Sequence, residues 1–364
     1  MNQKEQMSAG LLKRLISGEE EILPPNPVYQ HIVKRNWDQV AKPLDSLGVF
    51  EDITVRMGGI LEDTSLNLDK KAILVMCADN GIVEEGVSQS GQEVTLAVAG
   101  SMGRQTSSVC RMARLSKAAV IPVDIGIHSD EILTGVLSCK VAHGTRNFAK
   151  EPAMTREEVY QAVEVGIDLV RQCKEEGFKL IGTGEMGIGN TTTSAAVIAS
   201  LLSCLVHDVV GRGAGLSSEG LDRKRQVIEE AIARYQLQDA DALTVLQCVG
   251  GLDIAGLVGV MFGGAYYQIP IVLDGVISAA AALAAVRILP AVKDYLFASH
   301  MGKEQAMGPV CQELGLKPVI YGELALGEGT GAAMFFSLLD QALSVYHDQT
   351  TFGDIQIEAY ARFQ

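Results

Sequence analysis

Apolar residues follow two rhythms along this chain. Short unbroken runs at Ala72–Met76, Ala118–Gly126, Lys179–Ile181, Ile269–Leu273 and Pro318–Tyr321 have the length of buried strands. Between them lie longer segments of helical character: Thr95–Ala113, Thr155–Gly177, Ser217–Tyr235, Ala240–Val249, Gly250–Ala265 and Ser278–Ile288. Thr155 or Arg156 sits where a helix cap belongs. Two further helices open from glycine-rich turns, one running on to about Val206 and one through LGEGTGAAMFFSLLDQALSVY. Val136–Asn147 is polar with β character. Residues 1–66 are helical and mixed in charge, broken by LPPNP at 23–27, with a second amphipathic helix in LDSLGVFEDITVRMGGI. Alternation of strand and helix predicts an α/β fold: a doubly wound, mostly parallel sheet with helices on both faces. Ligands in such sheets sit beyond the carboxyl ends of the strands, so the loops after 76, 183, 274 and 321 are expected to converge.

Ala255–Val286 is long and apolar enough to be mistaken for a membrane span. Gln268, Pro270 and Asp274 interrupt it, and helix, strand, helix is the better division. The 364 residues suffice for one large or two ordinary domains. With 48% hydrophobic but only 5% aromatic residues, the core must be aliphatic. A formal charge of −14 argues against nucleic acid or an anionic membrane as partner, so an anionic substrate needs a local positive site. Seven scattered cysteines without a C-x-x-C pair fit a reducing cytoplasm and argue against structural zinc. The six histidines show no metal-binding spacing, and the charged N-terminus is no signal peptide. No metal site is read from these residues.

Candidate chemistry centres on KLIGTGEMGIGNTTTSAA, residues 179–196. A strand, a glycine-rich turn and a helix start would aim free N–H groups and a helix dipole at one point, which suits a phosphate. Gly184–Thr191 matches the Walker A spacing but has Asn190 in place of the lysine, which argues against nucleoside triphosphate hydrolysis. Gly182, Gly184 and Gly187 match a dinucleotide fingerprint, for which Asp208 is the nearest acidic partner; this leaves a dinucleotide-dependent oxidoreductase as an alternative. A carboxylate inside an anion loop needs a task, so Glu185 is a candidate base or ribose ligand. Glu328 lies in a second glycine turn, as a general base or as a charge stabilising a helix start. Arg212, between Gly211 and Gly213, is a candidate anion contact. Lys224 reads either as an anion ligand or as a solvated face. Asp274 ends a strand and is a functional candidate. His300 is a ligand contact or a satisfied histidine, and Asp79, Glu84 and Glu85 either act in catalysis or cap a loop.

Six segments occur in a fixed order: AILVMCADNGIVEEGV, GEMGIGNTTTSAA, VVGRGAGL, VGGLDIAGLVGVMFGGA, PIVLDGVISAAAALAA and LGEGTGAA. Together, over roughly residues 35–345, the chain resembles the nicotinate-nucleotide–dimethylbenzimidazole phosphoribosyltransferase family of cobamide lower-ligand assembly. The resemblance implies a large α/β domain, here 67–335, and a small helical domain built from both chain ends, 1–66 and 336–364. It also implies a dimer of identical or of paired non-identical subunits. The implied reaction moves the phosphoribosyl group of nicotinate mononucleotide to a lower-ligand base, giving the α-riboside 5′-phosphate and nicotinate without a cofactor.

By the same resemblance Glu328 matches the general base and Glu185 a second active-site glutamate. Gly187, Gly189, Asn190 and Thr191, the turn Gly211, Arg212 and Gly213, and Lys224 match the phosphate- and ribose-binding elements. Ser90, Val98 and Met186 fall to the base pocket. The chain departs from the family pattern at Asn80, where a histidine is usual, at Gly91 for proline and at Val98 for glutamine. It departs again at Ser299–Glu304, where a second serine and an alanine are lost. These departures put the lower ligand, a benzimidazole-type base or a phenol, in question rather than the reaction. They also keep a non-catalytic partner subunit among the alternatives.

Overall fold

Eight consecutive buried residues, Lys71–Ala78 (β1), form the centre of the sheet. The computed structural model describes residues 10–213, 215–348 and 350–362. Residues 1–9, to which the signal-peptide reading applies, lie outside the described residues, as do Ala214, Gln349 and the last two. After β1 come β2 (Ala118–Gly126), β3 (Leu137–Ser138), β4 (Leu180–Met186), β5 (Ile271–Leu273) and β6 (Leu296–Ala298). They form one sheet in the order β3-β2-β1-β4-β5-β6, with every pairing parallel. A second, two-stranded parallel sheet joins β7 (His300–Gly302) to β8 (Ile320–Leu324).

The helices ahead of the sheet are α1 (Leu11–Ser17), α2 (Pro27–Gln39) and α3 (Val49–Leu61). Then follow α4 (Glu93–Gly103), α5 (Ser108–Ala113), α6 (Arg156–Glu175), α7 (Asn190–Leu202), α8 (Val206–Val209), α9 (Ser218–Tyr235) and α10 (Ala242–Val249). The last four are α11 (Leu252–Tyr266), α12 (Val276–Ile288), α13 (Met307–Leu314) and α14 (Thr330–His347). Both faces of the sheet are covered. On one face Ile73 and Gly182 meet the start and first turns of α14 at Gly329, Ala332 and Phe336. On the other, Met76 and Ile125 meet Gly256 of α11. The apolar stretch at 255–286 divides into α11, β5 and α12, and no described helix is long and apolar enough to cross a membrane.

Several boundaries differ from the sequence reading. The single helix expected at Thr95–Ala113 is two, because Gln105 takes a left-handed φ of 60° and Ser107 then caps α5 by accepting from Cys110 N–H. The helix expected to reach about Val206 stops at Leu202, where Ser203 turns left-handed. Only Leu137–Ser138 of Val136–Asn147 forms a strand. The last strand starts later than expected and pairs with β7 instead of joining the main sheet. Three-residue strands such as β6 and β7 are too short to show a period. Thr155 caps α6 in a full capping box with Glu158.

The tightest packing lies between α6 and α11. A β-carbon on Gly259 would stand 2.0 Å from the Val163 carbonyl oxygen, and one on Gly166 would stand 2.1 Å from that of Gly256. Both obstacles are backbone, so neither can rotate away. Gly259→Ala is therefore expected to cost about 3 kcal/mol, the upper end of overpacking. Urea unfolding measures this, and a loss under about 0.5 kcal/mol would refute the close approach.

Both chain ends meet beside this body. Ala41 N–H donates to the Thr350 carbonyl at 2.8 Å, and Val40 and Thr351 form an antiparallel bridge. Tyr346 packs on Trp37 at 5.0 Å between ring centroids, and Arg362 pairs with Asp38 and Asp45.

Candidate active site

The direction of strand progression reverses between β1 and β4, and the loops beyond their carboxyl ends open there. A cavity of about 240 Å³ occupies the gap. Its walls come from the loop after β1, the glycine turn after β4, Arg212, Gly213 and Leu216, the end of β5, and residues 324–330. The loops expected to converge do so.

β4 runs straight into the glycine turn. Gly189, with φ of 93°, starts α7 without any side-chain cap. Close approach needs glycine here: a β-carbon on Gly187 would meet the Ala78 carbonyl oxygen at 2.4 Å. Thr191, in the first turn of α7, lines the cavity, and Lys224 Nζ donates to its Oγ1 at 2.9 Å. Lys224 projects from α9 and is buried, at 1% exposure. Burial lowers its ammonium to about 8, with Glu304 opposing the shift. Among the described residues it has no ion-pair partner within 4.0 Å. Lys224 does not itself line the cavity; a buried cation behind an uncapped helix start has the chemistry to attract an anion.

The second chemical feature is carboxylates. Gly327, Glu328 and Gly329 all have positive φ, 80°, 61° and 91°. Their turn rests on β4, where a β-carbon on Gly184 would meet the Glu328 carbonyl oxygen at 2.6 Å. Asp274, at the end of β5, holds this turn, accepting from Gly329 N–H at 3.0 Å and Gly331 N–H at 2.7 Å. Glu328 Oε2 accepts from Val109 N–H at 3.2 Å, at the start of α5, so the carboxylate does touch a helix start, though not that of its own helix. Glu185 points at the same turn; a β-carbon on Gly327 would stand 2.7 Å from its Oε1. Glu185 Oε2 accepts from Asn190 Nδ2, which also donates to Asp253 Oδ2 at 3.1 Å.

Crowding of acids raises their proton affinity. Burial, with Asp253, Asp274 and Glu328 adding to it, pushes Glu185 up to about 8. Burial also pushes Asp253 up to about 6 and Asp274 up to about 7, the latter against the N–H bonds it accepts. Each value lies above that of the unfolded chain. Their stabilising contribution is complete below about pH 4 and is lost as pH rises through 6 to 8. The unliganded protein is therefore expected to melt higher at about pH 5.5 than at about pH 8.5, and Glu185→Gln should remove part of that fall. The variant separates this effect from general repulsion in an acidic protein. A melting temperature that is flat or rises over the range would refute it.

The remaining candidates divide. Met186, Arg212, Gly213, His300 and Glu304 line the cavity. The Arg212 guanidinium is engaged with the Leu216 carbonyl and Ser218. Gly211 is adjacent but is not part of the lining. Ser90 also lies outside it, although its neighbours Val87, Ser88 and Gln89 belong to it. Val98 sits on α4, half-buried against the core and away from the cavity. Asn80 accepts from Thr193 Oγ1 at 3.1 Å and ties the first loop to α7. His300 bonds Ser299 beneath the glycine turn, and burial lowers its imidazole. Asp208 is exposed in α8, so the dinucleotide fingerprint has no acidic partner there. Asp253 and Glu304 were not singled out from the sequence. The signal for Asp253 was available, as one carboxylate opening an otherwise small and apolar helix. Among the described residues no cluster of three or more metal-binding side chains occurs.

A sequence model of a phosphoribosyltransferase family matches residues 22–357. The chain is 45% identical over 329 residues to nicotinate-nucleotide–dimethylbenzimidazole phosphoribosyltransferase of Acetivibrio thermocellus, covering 90% of this chain and 94% of that one. It is 44% identical over 335 residues to the enzyme of the same name from Clostridium acetobutylicum, covering 92% and 95%. Among solved structures, that of nicotinate-nucleotide–dimethylbenzimidazole phosphoribosyltransferase from Thermus thermophilus matches with a TM-score of 0.85 at 35% identity, over 92% of this chain and 100% of that one. With the fold and nearly the whole length in common, the chain belongs to the nicotinate-nucleotide–dimethylbenzimidazole phosphoribosyltransferase family and is a pentosyltransferase.

Proposed function

We propose that this enzyme transfers the 5-phosphoribosyl group of nicotinate mononucleotide to a ring nitrogen of a benzimidazole-type base, releasing nicotinate and forming the α-riboside 5′-phosphate. The observation that carries the reading is one cavity that joins an anion site to a pair of glutamates. The donor's phosphate fits the start of α7 at Gly187, Gly189, Asn190 and Thr191, with Lys224 behind Thr191 and the Arg212–Gly213 turn beside it. Fixing the phosphate fixes C1′ for in-line attack.

The donor's ring is a cationic pyridinium and leaves C1′ readily. The acceptor nitrogen attacks the opposite face, so the configuration inverts from β to α. It must lose its N–H proton as the bond forms, and Glu328 is the base that takes it. Burial raises the proton affinity of Glu185. A pyridinium arriving beside it favours the ionised form, which then stabilises positive charge developing on the ribose.

Met186 lines the cavity and supports an acceptor site on that side. Of the departures that put the acceptor in question, Asn80, Gly91 and Val98 do not border the cavity, whereas His300 and Glu304 of the altered 299–304 segment do. The benzimidazole-type base is the acceptor that the names of the relatives support, and a phenol is the alternative that the altered segment keeps. Purified enzyme incubated with nicotinate mononucleotide and a panel of benzimidazoles, purines and phenols, with products identified by mass, tests it. Absence of any α-riboside phosphate would reject the function, and a phenolic product made as fast as the benzimidazole one would reject the acceptor. We also read the enzyme as a cytoplasmic dimer, with residues 1–66 and 336–364 forming the small helical unit. Seven free thiols support the compartment and the contacts of both chain ends support the helical unit; the dimer, of identical or paired non-identical subunits, rests on the family resemblance.

A further inference from the structure

Asn190 Nδ2 stands between two carboxylates, Glu185 Oε2 and Asp253 Oδ2. Only one orientation of the amide is tolerable there, since its oxygen would face two acids while its nitrogen supplies a hydrogen to each. Asp253 is fully buried, at 0% exposure, and does not border the cavity. Its Oδ1 accepts from Ile254 N–H in the first turn of α11. That helix is wedged against α6 by backbone contact, so Asp253 has little freedom to move. A buried carboxylate is costly, and among the described residues Asn190 is the side chain that hydrogen-bonds it. Its charge also suits the start of α11, a contribution that melting reads and turnover does not.

We propose that Asp253 is a positioning residue for Glu185, acting through Asn190: it locks the amide that aims the glutamate at C1′. This rests on the reading of Glu185 as an active-site carboxylate. Asp253 sets the orientation of Asn190, and Asn190 sets the direction of the Glu185 carboxyl. The groups that face Glu185 are Asn190, Asp253, Asp274 and Glu328, from α7, α11, the end of β5 and the turn before α14. Asp253 is thus also one of the three acids whose charge governs the pH at which Glu185 ionises.

The test is a double-mutant cycle on the full chain with Asp253→Asn and Glu185→Gln, each variant checked by thermal melting. Asp253→Asn keeps the shape and removes the charge; Asp253→Ser serves the same cycle if it does not fold. Asp253→Asn is expected to lower kcat roughly tenfold, with KM for nicotinate mononucleotide nearly unchanged. The pH limb of kcat that Glu185→Gln abolishes should move to lower pH. In the Glu185→Gln background Asp253→Asn should have no further effect on kcat. Equal losses in both backgrounds, or an unmoved pH limb, would overturn the positioning role while leaving Glu185 in place. Near wild-type turnover in Glu185→Gln alone would instead overturn the reading of Glu185, and the inference with it.

Discussion

Glu328→Gln is expected to bind nicotinate mononucleotide as the wild type does and to turn over about a hundredfold more slowly or worse. The side chain is held by a turn whose three residues have positive φ, and that turn is pinned from below by Asp274. Glutamine keeps the length and can still accept from Val109 N–H, so the turn and α5 should stay in place. It cannot accept the proton that the acceptor nitrogen must shed. The loss should therefore fall on kcat and kcat/KM together. Steady-state kinetics with a benzimidazole acceptor, alongside equilibrium binding of the donor, measures both. Turnover within about threefold of wild type would remove Glu328 as the base and leave it only the capping of α5.

Lys224→Met should separate affinity from stability. The methionine fills the same buried space but offers no charge to the helix start. A desolvated charge contact is worth about 2–5 kcal/mol, so KM for nicotinate mononucleotide should rise by roughly thirtyfold or more, with kcat less affected. The melting temperature should hold or rise. Among the described residues Lys224 has no ion-pair partner, and burial lowers its ammonium to about 8, so its charge is a cost to the fold. Inorganic phosphate as a competitive inhibitor provides a second readout and should lose its hold on the variant. An unchanged KM would move the phosphate elsewhere. A large fall in melting temperature would show that the lysine serves the fold.

Much of this site could be read from sequence because its chemistry sits on local signals. Two glycine turns each carrying one glutamate, at Glu185 and Glu328, announce both the turn and the acid. Gly189 and Thr191 announce the helix start. The parallel sheet followed from buried runs separated by helical segments, and β1 and β2 fall nearly where expected. What escaped has a physical cause in each case. The strands β6 and β7 are three residues long and gain their identity from neighbours far off in sequence. The break at Gln105 depends on a left-handed residue that no glycine marks. Lys224 sits among charged neighbours on a helix that looks solvated; only the packing of α9 over Thr191 buries it. Asp253 is separated in the chain from everything it touches apart from its own helix. Ser90, in a loop, and Val98, on α4, do not line the cavity, a placement that only tertiary packing sets.

Asp274 ties the last turn of the site to the end of β5, while the anion site is built from β4, α7 and α9. The acid turn therefore exists only while the segment before α14 stays docked on Asp274. Loosening that tie, as in Asp274→Asn, is expected to lower turnover more than donor binding, which kcat and equilibrium binding of nicotinate mononucleotide read separately.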